Sequence, residues 1–100
     1  MAIRVDCDLE GHKDLWVEFR EDRWTFGDRR KVSESFSDSL ALTIILGYVE
    51  AWHLLDVNGK EVEFVKELEG LDDMDDRVVV WIVRAWFQAR NKRAEVPKVS

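Results

Sequence analysis

The first twenty residues alternate. Ile3, Val5, Cys7 and Leu9 are interleaved with Arg4, Asp6 and Asp8, and after the turn-prone stretch EGHKD the sequence Leu15, Val17, Phe19 is interleaved with Trp16 and Glu18. A period of two is that of a strand with one buried face, so two strands joined as an N-terminal β-hairpin are predicted. Trp16 then falls on the face opposite Val17 and partly covers the outer side of the sheet.

From Arg23 the pattern loosens. RWTFGDRRKVSESFSDS combines aromatic residues, Gly27 and a serine-rich stretch. It predicts a short helical turn near Gly27 to Ser33 and an exposed, mobile loop over 33–39, in which Phe36 has no evident partner. LALTIILGYVEAWHLL follows, from Leu40 to Leu55. Its β-branched centre of Thr43, Ile44 and Ile45 favours a long strand bent near Gly47. A helix over Asp38 to Leu46 capped by Ser37 is the competing reading.

The stretch EAWHLLDVNGKEVEF contains the clearest turn signal. A two-residue Asn58-Gly59 loop would set Asp56 against Glu61 and Leu54 against Glu63. A three-residue loop of Val57, Asn58 and left-handed Gly59 pairs Asp56 with Lys60, Leu54 with Val62 and Trp52 with Phe64. The second register sorts charge from apolar surface and is the one expected, with Trp52, Gly59 and Phe64 as the structural residues of the hairpin. It also places His53 beside Glu63 on the other face.

Of the twelve residues from Val78 to Ala89, only Arg84 and Gln88 are polar. On a helix from about Asp73 to Lys92, Val78, Trp81, Ile82, Ala85 and Ala89 form one stripe, and Val79, Val80, Val83, Trp86 and Phe87 form the opposite flank. One side would cover the sheet. The other would be left for a second molecule, making Trp81, Val83, Trp86 and Phe87 the candidate interaction residues. The run VVVWIV is also compatible with a buried strand.

Composition adds limits. One hundred residues suffice for one domain, 1–100, with a modest core. Five tryptophans are many for such a core, so either some line a contact surface or they are only partly buried, as Trp commonly is. A lone Cys7 cannot form an internal disulfide. With no apolar leader and no span-length apolar run, a cytoplasmic protein away from the membrane is expected.

The net charge of −6 is unevenly spread: residues 50–76 carry 2 basic and 10 acidic groups, and residues 77–100 carry 6 and 1. The total argues against nucleic acid as a partner. Asp72, Asp73, Asp75 and Asp76 lack the ligand spacing of a calcium loop, and they suit the positive end of the following helix. Arg90, Lys92 and Arg93 suit its negative end, ahead of a basic tail over 94–100. His53 beside a carboxylate has no nucleophile near it in sequence. No catalytic residue, metal site or cofactor site is therefore expected, and the chain is read as not an enzyme.

The order YVEAWHLLDVNGKEVEF, the acidic linker LEGLDD and a final helix ending in basic residues resembles small tail-assembly proteins of long-tailed bacteriophages. The resemblance covers roughly residues 48–93 and rests on Val49, Trp52, Leu54, Gly59 and Val62 followed by the helix. It implies a non-enzymatic, chaperone-like role beside tail-tube and tape-measure proteins, in the host cell cytoplasm. The linker from Phe64 to Leu71 departs from the family in lacking proline.

The expected fold is α+β: an antiparallel sheet of about four strands, formed by two hairpins, with a C-terminal helix packed on it. The expected function is a phage tail-assembly accessory that binds tail proteins, or a second copy of itself in a homo-oligomer, through apolar and aromatic surface. A self-associating interaction module unrelated to phage, and an acidic nucleic-acid mimic or regulator, are the alternatives.

Overall fold

The computed structural model describes residues 2–95. Its elements are β1 (Ile3–Asp6), β2 (Trp16–Phe19), α1 (Phe26–Glu34), α2 (Asp38–Leu46), β3 (Val49–His53), a 3-10 turn (Leu68–Leu71) and α3 (Asp76–Glu95). The fold is α+β, with α3 packed on β1 and β2. Of the basic tail expected over 94–100, the first two residues continue α3 and the rest lies outside the described residues.

The sheet is antiparallel, in the order β1-β2-β3. Val5 pairs with Val17 and Val17 with Trp52, so the alternation read from the sequence becomes one buried face across all three strands. On the other face Trp16 pairs with His53, and the Arg4 guanidinium lies 4.6 Å from the Trp16 ring. The predicted outward position of Trp16 is observed, and Arg4 caps its exposed ring.

Among the described residues three strands are formed where about four were expected. The second hairpin has the expected register: the Asp56 amide donates to Lys60 O (2.8 Å), the Val62 amide donates to Leu54 O (2.9 Å), and Gly59 has φ +78°. Trp52 and Phe64 meet edge to face with centroids 5.0 Å apart. Only Leu55 and Glu61 form a bridge, however, and the Val62 carbonyl accepts from the Trp52 indole (3.0 Å). A side chain thus occupies a carbonyl that a strand ladder would need, and the returning arm leaves the sheet. His53 sits not beside Glu63 but 3.6 Å from Glu61 and 3.9 Å from Asp14, which the neighbouring β2 side of the sheet brings to it.

The long bent strand expected over Leu40–Leu55 is replaced by α2 and β3. Ser37 accepts from the Leu40 amide (3.3 Å), Thr43 bonds back to Ser39 O (2.8 Å), and the Gly47 amide closes the helix on Ile44 and Ile45 carbonyls. Ala41, Leu42, Ile45 and Leu46 are its buried residues. That spacing is a helical stripe, and packing of the stripe outweighs the strand preference of three β-branched residues. The expected loop over 33–39 is likewise mostly helix: 33–34 end α1 and 38–39 begin α2.

The final helix begins at Asp76 rather than Asp73, because Asp75 caps it: the Asp75 carboxylate accepts from the Arg77 amide (2.9 Å). Val78, Trp81, Ile82, Ala85 and Ala89 are at most 1% exposed, so the predicted stripe is the core face. Each large member contributes about 1.5–3 kcal/mol by leaving water. At the other end the Lys92 ammonium donates to Arg4 O (3.0 Å) and the Arg93 guanidinium to Glu21 O (2.8 Å), tying the end of α3 to β1 and to the chain after β2.

Candidate functional site

The predicted interaction residues divide. Trp81 and Trp86 are wholly buried, so they are core and not surface anchors; Val83 and Phe87 are partly buried against the same core. The reason is α2. The reading of 40–55 as a strand left α3 one flank too many, whereas α2 packs on α3 as well as the sheet does. Trp86 itself is covered by Trp24, from the chain after β2, and by Tyr48, which follows α2. Val80 is the large residue of that flank that stays exposed.

Above Trp86 the chain builds a feature that sequence reasoning missed. Trp24 stacks on Trp86 with centroids 5.3 Å apart, and Tyr48 meets both rings. Trp24 is held by its indole N–H, which donates to Arg20 O (2.7 Å), across a corner in which Arg23 takes φ +61°. Tyr48 locks the same corner. Its carbonyl accepts from the Arg20 amide (2.8 Å), its hydroxyl donates to Asp28 Oδ2 (2.6 Å) and accepts from the Thr25 amide (3.5 Å), and the Arg20 guanidinium lies 4.4 Å from its ring. Burial, and then the hydrogen bond to Asp28, push the Tyr48 phenol above its ordinary pKa.

Thr25 then caps α1, accepting from the Asp28 amide (3.1 Å). Over this corner opens a pocket of about 260 Å³ lined by Trp24, Thr25, Phe26, Arg29, Arg90 and Arg93. The Arg29 guanidinium lies 5.0 Å from the Phe26 ring. Three arginines and two aromatic rings line it, with no carboxylate among the lining residues. The adjoining cleft shares Arg93 and is mixed in charge, being lined also by Glu21, Asp22, Arg23 and Glu50.

Among the described residues, three of the six exposed large apolar side chains lie on the α1–α2 pair, the others being Val57, Phe64 and Val80. Phe36, in the connection, is fully exposed (104%), Phe26 is 67% exposed and Leu40 60%. Val32 is the buried residue of α1, so this helix is held chiefly at its ends and against α2.

Cys7 is buried, and burial raises its thiol pKa. The Asp75 carboxyl is held below its ordinary value by its hydrogen bonds with Arg77. His12 lies 3.8 Å from Asp75. Among the described residues no group of three or more His, Cys, Asp or Glu side chains is placed to hold a metal ion, and no helix is long and apolar enough to cross a membrane.

Arg29 and the pair Arg90 and Arg93 come from distant parts of the chain, and the latter two satisfy a helix C-terminus so well that their charge raises no further question. The one local signal was RWTF, two aromatics beside a basic run and outside any regular alternation. Compared with family models, with curated proteins and with solved structures, the chain finds no match in any of the three.

Proposed function

We propose that this chain is a non-enzymatic accessory of phage tail assembly that binds protein partners through exposed apolar and aromatic surface on the α1–α2 pair. The observation that carries the reading is Phe36. A Phe wholly in water, one turn from a 60% exposed Leu40, has no role in the packing of its own domain. Aromatic residues dominate the energy of protein contacts, and α1 offers little burial of its own to lose when a partner arrives. The tail-assembly setting rests on the resemblance of residues 48–93.

The test is co-expression of the tagged chain with tail-tube and tape-measure proteins, followed by affinity capture and sedimentation. The chain is expected to retain a tail protein. The double substitution Phe36→Ser with Leu40→Ser is expected to abolish retention while the thermal melting curve is preserved. Retention unaffected by the double substitution would overturn the assignment of the surface, and failure to retain any tail protein would overturn the setting. A concentration-dependent dimer lost in the same variant would move the function to self-association.

A further inference from the structure

We propose that the two clefts meeting at Arg93 form one bipolar peptide site, which takes an acidic residue of a partner protein in the arginine pocket and a neighbouring basic residue in the acidic cleft. The inference rests on the reading of the chain as a protein-binding accessory and gives the chemistry of the segment bound.

The first half of the argument is the arginine pocket. In a chain of net charge −6, Arg29, Arg90 and Arg93 surround a concave space of about 260 Å³. Trp24 and Phe26 also line it, so the space offers apolar ring surface next to guanidinium forks. A carboxylate fits such forks through paired N–H···O bonds, and the methylene groups beneath a Glu or Asp head, or an adjacent aromatic residue, fit the rings. Phe26 is two-thirds exposed and is therefore reachable by an incoming side chain.

The second half is the boundary of the pocket. Immediately beyond Arg93, Glu21, Asp22 and Glu50 line the next cleft together with a further arginine, Arg23, so that carboxylates outnumber arginines there by three to two. A nucleic-acid strand presents phosphates at every step and would run from three arginines into a cleft where three carboxylates outnumber Arg23 and Arg93, so a continuous polyanion is disfavoured. A peptide has no such constraint. A segment carrying an acidic and a basic side chain a few residues apart matches both clefts, with Arg93, oriented by its bond to Glu21 O, at the junction. Opposite charges side by side also fix the direction in which the segment lies, which a single-sign patch cannot do.

The experiment uses the full chain and short fluorescent peptides read by anisotropy: Glu-Phe-Gly-Lys flanked by neutral residues, its reversed sequence, an all-Glu peptide, an all-Lys peptide, and separately ATP and a single-stranded oligonucleotide. One bipolar peptide is expected to bind more tightly than its reversal and than either single-sign peptide, and to weaken with salt. Arg29→Ala and Arg90→Ala are each expected to weaken it about tenfold, the loss of one charge-assisted hydrogen bond. Asp22→Lys with Glu50→Lys should weaken it too and should raise affinity for the all-Glu peptide. Unchanged far-ultraviolet circular dichroism and melting separate these effects from misfolding. Binding of ATP or the oligonucleotide with the same arginine dependence but of no peptide would overturn the inference, as would equal affinity for the all-Glu and bipolar peptides. Capture of a tail protein that needs Phe36 but is indifferent to Arg29 and Arg90 sinks this inference alone. Arginine-dependent peptide binding without capture of any tail protein sinks only the tail-assembly setting.

Discussion

Trp24 lies stacked over Trp86, ring centroids 5.3 Å apart and planes inclined by 24°. The pairing turns a residue that the helix pattern offers to a partner into the support beneath a surface residue. Trp86 touches Tyr48 at 5.6 Å and Phe87 at 5.0 Å, both edge on, and is wholly out of solvent. It holds Trp24 in place in the lining of the arginine pocket.

Trp86→Ala is therefore expected to destabilise the chain strongly rather than to release a partner. Removing a buried Trp costs about 3–5 kcal/mol, against a total stability of about 5–15 kcal/mol for a domain. Trp86→Phe keeps a ring under Trp24. The Trp86 indole N–H has no hydrogen-bond partner in the folded chain, so Phe forfeits no hydrogen bond and its cost, about 1–2 kcal/mol, is that of volume alone. Urea unfolding followed by tryptophan fluorescence reads both. An unchanged midpoint for Trp86→Ala would show that the stack contributes nothing to the fold.

The single tyrosine gives the chain an alkaline limit. Burial first, and the bond to Asp28 second, raise the Tyr48 phenol above its ordinary value of 10.0. A group that holds its proton more tightly when folded gives its full stabilisation below the unfolded pKa and loses it as pH rises through the folded one. Stability should thus decline from about pH 10 upward. Cys7, also raised by burial, adds a decline of the same sign from its ordinary 9.0 upward. Tyr48→Phe should remove the first part of that slope and leave the second, at a cost of about 1 kcal/mol near neutral pH for the lost hydroxyl bonds. Chemical denaturation at stepped pH measures it; equal slopes for the two chains would exclude Tyr48 as the cause.

Much of this architecture is written in local pattern. The alternation of Ile3 to Phe19 specifies two strands and their buried face because period two admits no other placement, and the hairpin register follows from pairing Asp56 with Lys60 rather than with Glu61. What escaped the sequence is what depends on a third element. Thr43, Ile44 and Ile45 read as strand until Ala41, Leu42, Ile45 and Leu46 are given a surface to cover, and that surface is partly α3 itself. Trp86 looked exposed because Trp24 and Tyr48, which cover it, come from distant parts of the chain. Of the site, the aromatic residues were visible as an excess of Trp, but the convergence of Arg29 with Arg90 and Arg93 is purely tertiary.

Gly59 gives a test in which sterics and backbone separate. Its φ is +78°, and a Cβ built there would meet nothing within 4 Å. The turn around it is closed by Asp56, whose carboxylate accepts from the Asn58 and Lys60 amides, both at 2.9 Å, and whose carbonyl accepts from the Gly59 amide at 3.0 Å. Any cost of substitution must then arise from the left-handed backbone alone. Gly59→Val is expected to lose about 1 kcal/mol or more, because a β-branched side chain resists positive φ. Gly59→Asn, which tolerates that region, should lose only a few tenths of a kcal/mol. Thermal unfolding of the three chains decides it. Equal losses for Val and Asn would show that the turn does not hold Gly59 left-handed in solution, and with it would go the three-residue register that sets Trp52 against Phe64.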